Sequence, residues 1–234
     1  GPPWTIQMNS PTPTPAVLQV AAGGSHTCSI KSENQLVCVG ANNYGQLGDG
    51  TTTKRATPNI VESEMTTVKA GWQHSCGIKA DGTLRCWGGA LKRPGYPVLD
   101  TASPTPLPQT VDTEKYSRVS VGVYNICGIT VSGKLECWGD NQVGQVGDGT
   151  TTERANPVQI DSANTYSQVA TGDLHSRAIT TSGILKCWGY NDYGRLGDGT
   201  TTARSLPTVI DPGFSYDQVS VGIYHSCGIT TLGV

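Results

Sequence analysis

With 234 residues, a formal net charge of −2 and no run of like charge, the chain lacks the basic surface that nucleic acid or acidic lipid would need. No apolar stretch approaches the length of a membrane span, which argues against membrane insertion. Thirty glycines, 14 prolines and one phenylalanine leave Val, Ile, Leu, Trp and cystine to build the core.

Residues 1–16 come first and are rich in Pro and Thr. Ser10 to Pro15 alternates Pro with Ser or Thr and reads as an extended polyproline linker, the composition of an O-glycosylated extracellular stalk. Gly1-Pro2 reads either as a cleavage scar or as the start of a mature form. From residue 17 to 234 the chain repeats. A Gly-x-x-His/Asn turn recurs at Gly23, Gly71, Gly122, Gly172 and Gly222, in steps of 48, 51, 50 and 50. Each turn follows a short Val-rich run such as Val119-Ser-Val and precedes a hairpin. A Gly-rich loop and a Pro-containing apolar stretch such as Val158 to Ile160 complete the unit. No window keeps a helical period. Three to four short strands per fifty residues, repeated, predict an all-β fold of β-propeller blades, four complete and a fifth partial.

The hairpins carry cysteines at both ends. Cys28 and Cys38, Cys76 and Cys86, and Cys127 and Cys137 each flank a three-residue centre: Ser32-Glu-Asn34, Ala80-Asp-Gly82 and Val131-Ser-Gly133. Such loops place their third residue in the left-handed region, which Gly adopts freely and Asn tolerates. The resulting register sets each cysteine opposite its mate, roughly 4.5–5.5 Å apart at Cα and within disulfide range. Three intra-hairpin disulfides are therefore expected, and with them an extracellular or cell-surface location. Ten-residue spacing lacks the close Cys-x-x-Cys pairs of zinc sites. Two cysteines are left over. Arg177 stands opposite Cys187, and the mate of Cys227 would lie ten residues on, past Val234. Both are free, joined to each other, or intermolecular.

The loop motif reads Asn42-Asn-Tyr44-Gly-Gln-Leu-Gly-Asp49-Gly-Thr51, and recurs from Asn141 to Thr150 and from Asn191 to Thr200, each time followed by Arg55, Arg154 or Arg204 and then Pro. Together with Gly-x-x-His and Cys-Trp-Gly, it resembles the regulator-of-chromosome-condensation repeat family over nearly the whole chain from Val20. The resemblance implies a seven-bladed propeller that works by binding. Its members include a nuclear exchange factor, a bacterial β-lactamase inhibitor and a plant ultraviolet-B receptor. Seven blades of this period would need roughly 350 residues, so a closed ring is not expected from this chain alone. The second repeat also departs from the pattern, reading Gly88-Gly-Ala-Leu-Lys-Arg-Pro-Gly-Tyr-Pro in place of the loop motif.

Repetition at fixed positions points to structure. His26, His74, His175 and His225 share one position with Asn125, too far apart for one metal shell, so each is expected to lock its own turn by a hydrogen bond to backbone. Each loop Asp (Asp49, Asp148, Asp198) offers too few oxygens for calcium and is expected to cap its turn and pair with the Arg six residues on. Trp87, Trp138 and Trp188 read as core. No nucleophile, acid or base converges, so neither enzyme activity nor a cofactor is expected. Variation inside the fixed turn points instead to binding. Between Gly and His/Asn stand Trp72, Tyr124, Leu174 and Tyr224, apolar where turns are normally polar, and they are expected on one rim of the propeller. Tyr44 and Tyr193 are weaker candidates. In the plant receptor the turn similar to Gly71-Trp72-Gln73-His74 belongs to a dimer interface; here one turn in five carries the Trp, so photoreception is not implied. The expected function is binding of a protein or glycan through the rim. The alternative is a structural subunit whose blades are completed by neighbouring chains, a homo-oligomer or filament.

Overall fold

The computed structural model describes residues 16–89 and 105–232. The polyproline segment before Ala16, and the unusual second-repeat segment from Ala90 to Pro104, lie outside the described residues. Blade 1 is a four-stranded antiparallel sheet of β1 (Val17–Ala22), β2 (His26–Lys31), β3 (Gln35–Gly40) and β4 (Arg55–Glu62), in sequence order. Blade 2 holds β5 (Met65–Ala70), β6 (His74–Lys79) and β7 (Thr83–Gly88), and takes its outer strand from β8 (Thr105–Val121). β8 is long because it serves two blades. Thr105 to Lys115 pair with β7, and Tyr116 to Val121 pair with β9 (Asn125–Thr130) as the inner strand of blade 3. β10 (Leu135–Gly139) and β11 (Arg154–Ile160) complete blade 3. Blade 4 is β12 (Tyr166–Thr171), β13 (His175–Thr180), β14 (Leu185–Gly189) and β15 (Arg204–Val209). Blade 5 holds the inner pair, β16 (Tyr216–Val221) and β17 (Ser226–Thr230). The sheets do not close into a ring, as expected for four repeats and part of a fifth.

The hairpin register is the one the turns dictate. Cys28 faces Cys38, Cys76 faces Cys86 and Cys127 faces Cys137, each pair 4.1 Å apart at Cα and joined as a disulfide. Cys187 and Cys227 are free. Gly82 and Gly133 take the positive φ that the loop requires. The first hairpin differs: its ladder runs one pair further, to Lys31 and Gln35, and both Glu33 and Asn34 take positive φ.

The core lies between blades, and each disulfide packs against the next blade's tryptophan. Cys28 and Cys38 cluster with Trp87, Cys76 with Trp138, and Cys127 and Cys137 with Trp188. Trp87 Nε1 donates to the Gln46 carbonyl and Trp188 Nε1 to that of Gln145, both at 2.9 Å, so the indoles are buried with their polar atom satisfied. The Asp loops are built as expected. Asn42 Nδ2 donates to Asp49 and to loop carbonyls, Thr51 donates to Asp49, and Arg55 pairs with it; the loops of Asp148 and Asp198 repeat the set. Burial opposes ionisation of Asp198, but hydrogen bonds from Thr200 and Arg204 outweigh it and hold the carboxyl at about 2.

The histidines correct one expectation. Their ring nitrogens do not lock their own turns to backbone. His26 Nε2 meets Ser75 Oγ of the next blade at 2.7 Å, His175 Nε2 meets Ser226 Oγ at 2.8 Å, and Asn125 Nδ2 donates to Ser176 Oγ at 3.0 Å. Each serine in turn donates to the loop carbonyl of the preceding blade, that of Gln46, Arg195 or Gln145. The position is a latch between blades. The turn is closed by backbone alone, Gly23 N to the His26 carbonyl and likewise in the other four. Gly71 is needed where blades 2 and 3 approach closely, because a Cβ there would stand 2.4 Å from the Gly122 carbonyl.

Candidate functional site

The five Gly-x-x-His/Asn turns lie side by side at one end of the blades, so their two central residues line a common rim. Trp72, Tyr124, Leu174, Ile223 and Tyr224 come together there around a concave cup of about 500 Å³. The turns hold these side chains out because the backbone bonds from Gly N to the His or Asn carbonyl leave them no room inside. Trp72 is 49 % exposed and Tyr224 65 % exposed. Tyr193, from the blade 4 loop, closes one side at 76 % exposure, its ring edge-on to that of Tyr224 with centroids 6.3 Å apart.

Five of the six residues expected to bind therefore share one surface. Tyr44 does not. It is exposed, but its Cβ lies over Gly89 at the junction of blades 1 and 2, away from the cup. Tyr44 and Tyr193 occupy the same motif position in different blades, and the residues two further on differ as well. In the first loop Gln46 Oε1 accepts from Tyr44 N and ties the loop to itself. In the third loop Arg195 replaces that glutamine.

Arg195 and Tyr190 are the residues that reading the turns alone does not find. Blade 3 pairs Gln145 with Asp140, Nε2 to Oδ2 at 2.8 Å. Blade 4 has Arg195 and Tyr190 at those two positions. The Arg195 guanidinium lies 4.7 Å from the Tyr190 ring, 5.6 Å from that of Tyr193 and 5.4 Å from that of Tyr224. It donates from Nη1 to the Ile223 carbonyl at 3.1 Å, tying blade 4 to blade 5. At 4 % exposure Arg195 is the floor of the cup, and its Nε has no partner. Cation–π contacts at exposed rings contribute about 0.5–1 kcal/mol each, so Arg195 biases the rings towards this arrangement before any ligand arrives. The positive charge is felt nearby. Burial, then Arg195 and Arg177, lower the His175 pKa to about 4, leaving that latch neutral. The signal in the sequence was there: Gln-Leu-Gly and Gln-Val-Gly in two loops, Arg-Leu-Gly in the third.

The sequence matches the regulator of chromosome condensation (RCC1) repeat over residues 17–46, 65–89, 116–145 and 166–195, and over 132–179 and 182–229. The chain belongs to this family. The Arabidopsis thaliana ultraviolet-B receptor UVR8 is 30 % identical over 153 residues, which is 62 % of this chain and 34 % of the receptor. The Homo sapiens E3 ubiquitin-protein ligase HERC2 is 27 % identical over 151 residues, 62 % of this chain and 3 % of the ligase. The structure of human WBSCR16 superposes with a TM-score of 0.77 at 22 % identity, over 91 % of this chain and 57 % of that one. The chain spans about a third of the receptor's length, and at 22 % identity the superposition speaks for the fold alone. The propeller, its repeats and its disulfides thus stand together as an RCC1-repeat binding module in which three cystines call for an oxidising environment.

Proposed function

We propose that this chain is a non-enzymatic recognition module of the cell exterior or cell surface, and that it binds a protein partner on the cup formed by Trp72, Tyr124, Leu174, Tyr193 and Tyr224. The observation that carries the reading is the convergence of exposed Trp and Tyr with a buried Arg on one rigid concave rim, the residue types that dominate binding energy at protein interfaces. Rings already positioned by Arg195 lose little freedom on binding, so more of the contact energy appears as affinity.

The test places a photo-crosslinking amino acid at Tyr224 and, separately, at Lys54 on the outer loop of blade 1. A partner captured from the native secretion at Tyr224 and not at Lys54 is then titrated against variants. Tyr193→Ala/Tyr224→Ala is expected to weaken it by 100-fold or more, about 3 kcal/mol, and Tyr44→Ala to leave it unchanged. Equal affinity for the rim variant and the native chain would overturn the reading. Capture of carbohydrate alone would replace the protein partner with a glycan.

The alternative, a subunit joined to neighbouring chains, draws on the exposed free thiol of Cys227. Light scattering of the non-reduced protein separates the two, because only that reading expects assemblies that shrink on reduction.

A further inference from the structure

A second cavity, apart from the rim, runs between the inner strands of all five blades. It holds about 410 Å³ and is lined in part by Gln19, Thr67, Lys69, Arg118, Gln168 and Ser220. Among the described residues no carboxylate lines it. Alternation along the inner strands sorts its side chains into two tiers. The valines Val20, Val68, Val119, Val169 and Val219 mark the register between them. One tier carries Gln19, Thr67, Arg118, Gln168 and Gln218, and the other carries Ala21, Lys69, Ser120, Ala170 and Ser220.

The first tier has a rule and an exception. Gln19 Oε1 accepts from Val68 N of the next blade at 2.7 Å, and Gln168 Nε2 donates to the Asp217 carbonyl of the next blade. Glutamine at this position ties one inner strand to its neighbour. Arg118 stands at the same position and makes no such tie. Lys69 stands on the adjoining strand, one tier away. Both side chains are exposed to the cavity, and among the described residues neither makes an ion pair or a side-chain hydrogen bond. Four lysines near the hairpin turns, by contrast, each pair with an acid: Lys79 with Glu64, Lys115 with Asp81, Lys134 with Glu114, Lys186 with Asp161. Two cations without an ion pair facing one open cleft, in a chain whose net charge is negative, focus a positive potential there and concentrate counter-anions.

We infer that the central channel is an oxyanion site, in which Lys69 and Arg118 together hold a small solute bearing phosphate or carboxylate oxygens. Arg118 supplies a planar fork that matches two oxygens, and Lys69 supplies a point charge from the next strand. The channel amides and hydroxyls offer further donors. The site shares no lining residue with the rim cup.

The test is calorimetric titration of the intact chain with inorganic phosphate and, in a second arm, with citrate, both at constant ionic strength against a chloride background. Saturable binding of one or both is expected; the arm that binds more tightly assigns the oxyanion as phosphate or carboxylate. Lys69→Gln and Arg118→Gln are each expected to weaken binding at least tenfold, while Lys134→Gln binds as the native chain does. Both channel substitutions replace exposed side chains, and an unchanged melting temperature without anion confirms the fold. Absence of saturable binding in both arms would overturn the inference. So would native affinity in the Lys69→Gln/Arg118→Gln double variant.

Discussion

The joint between blades 3 and 4 and the joint between blades 4 and 5 use the same positions for different chemistry. In the first, the Cys127–Cys137 disulfide packs on Trp188, whose Nε1 donates to the Gln145 carbonyl. In the second, Arg177 replaces a cysteine and faces the free thiol of Cys187. Arg177 Nη2 donates to the carbonyls of Arg195 and Leu196, at 3.2 and 2.9 Å, so a guanidinium does for the loop of blade 4 what an indole does for that of blade 3. Burial pushes the Cys187 thiol up to about 12, which makes it unreactive as long as the fold is intact. Arginine, at 6 % exposure, satisfies the loop carbonyls and also adds positive charge beneath the rim. Where the repeats agree they hold the blades together, and where they differ they shape a surface.

The largest effect that would sharpen this contrast is on the covalent and aromatic joint. Trp188→Ala removes a fully buried indole and its hydrogen bond, and should cost about 4 kcal/mol by urea unfolding. Tyr216→Ala, half-buried at the other joint, should cost less than half of that. Cost of the same size at both joints would erase the distinction. Next, Arg177→Cys should restore the missing disulfide, because Arg177 and Cys187 are direct antiparallel partners. Thiol titration of the unfolded, non-reduced protein should then show one free cysteine rather than two, and stability should rise by about 2 kcal/mol less the lost guanidinium bonds.

Acid should act through the latches. Burial lowers the pKa of His26 to about 4, of His74 to about 3 and of His175 to about 4, against 6.5 when unfolded. Below pH 6.5 the unfolded chain binds protons that the folded chain refuses, so stability is complete above that pH and falls progressively towards the folded values. The loss should be about 2 kcal/mol per histidine by pH 5, read from melts at pH 7 and pH 5. His74 carries a further contrast. At its joint the next blade offers Ile126 where the others offer serine, and its Nε2 is buried without a partner. His74→Gln and His26→Gln should flatten the dependence equally between pH 7 and pH 5, and His74→Gln the more below pH 4, where the His26 contribution has levelled off. The smallest effect is expected at the rim, where Tyr224→Ala should change stability by less than about 0.5 kcal/mol.

The blades were legible in the sequence because their determinants are local. A ten-residue cysteine spacing, a three-residue turn and a Gly-x-x-His closure each fix structure within one repeat. The rim was legible for the same reason, since Trp72, Tyr124, Leu174 and Tyr224 are apolar residues inside one short turn. What escaped depends on the neighbouring blade, about fifty residues away. The His–Ser latches need two repeats placed side by side. So does the difference between Tyr44 and Tyr193, which share a motif position but stand at different joints, one beside Gly89 of blade 2 and the other against Tyr224 of blade 5. Arg195 and Arg118 were visible only as departures from glutamine at a repeated position, a signal that takes its meaning once the register between blades is known.

The central claim is that the cup is a binding surface and not a packing accident. The most direct measurement is the affinity of the partner captured at Tyr224 for Tyr193→Ala/Tyr224→Ala, set beside Tyr44→Ala at equal thermal stability. A loss of 100-fold or more in the first, with native affinity in the second, is the predicted result. Native affinity in both would contradict it and leave the rim tyrosines as a cover for Arg195.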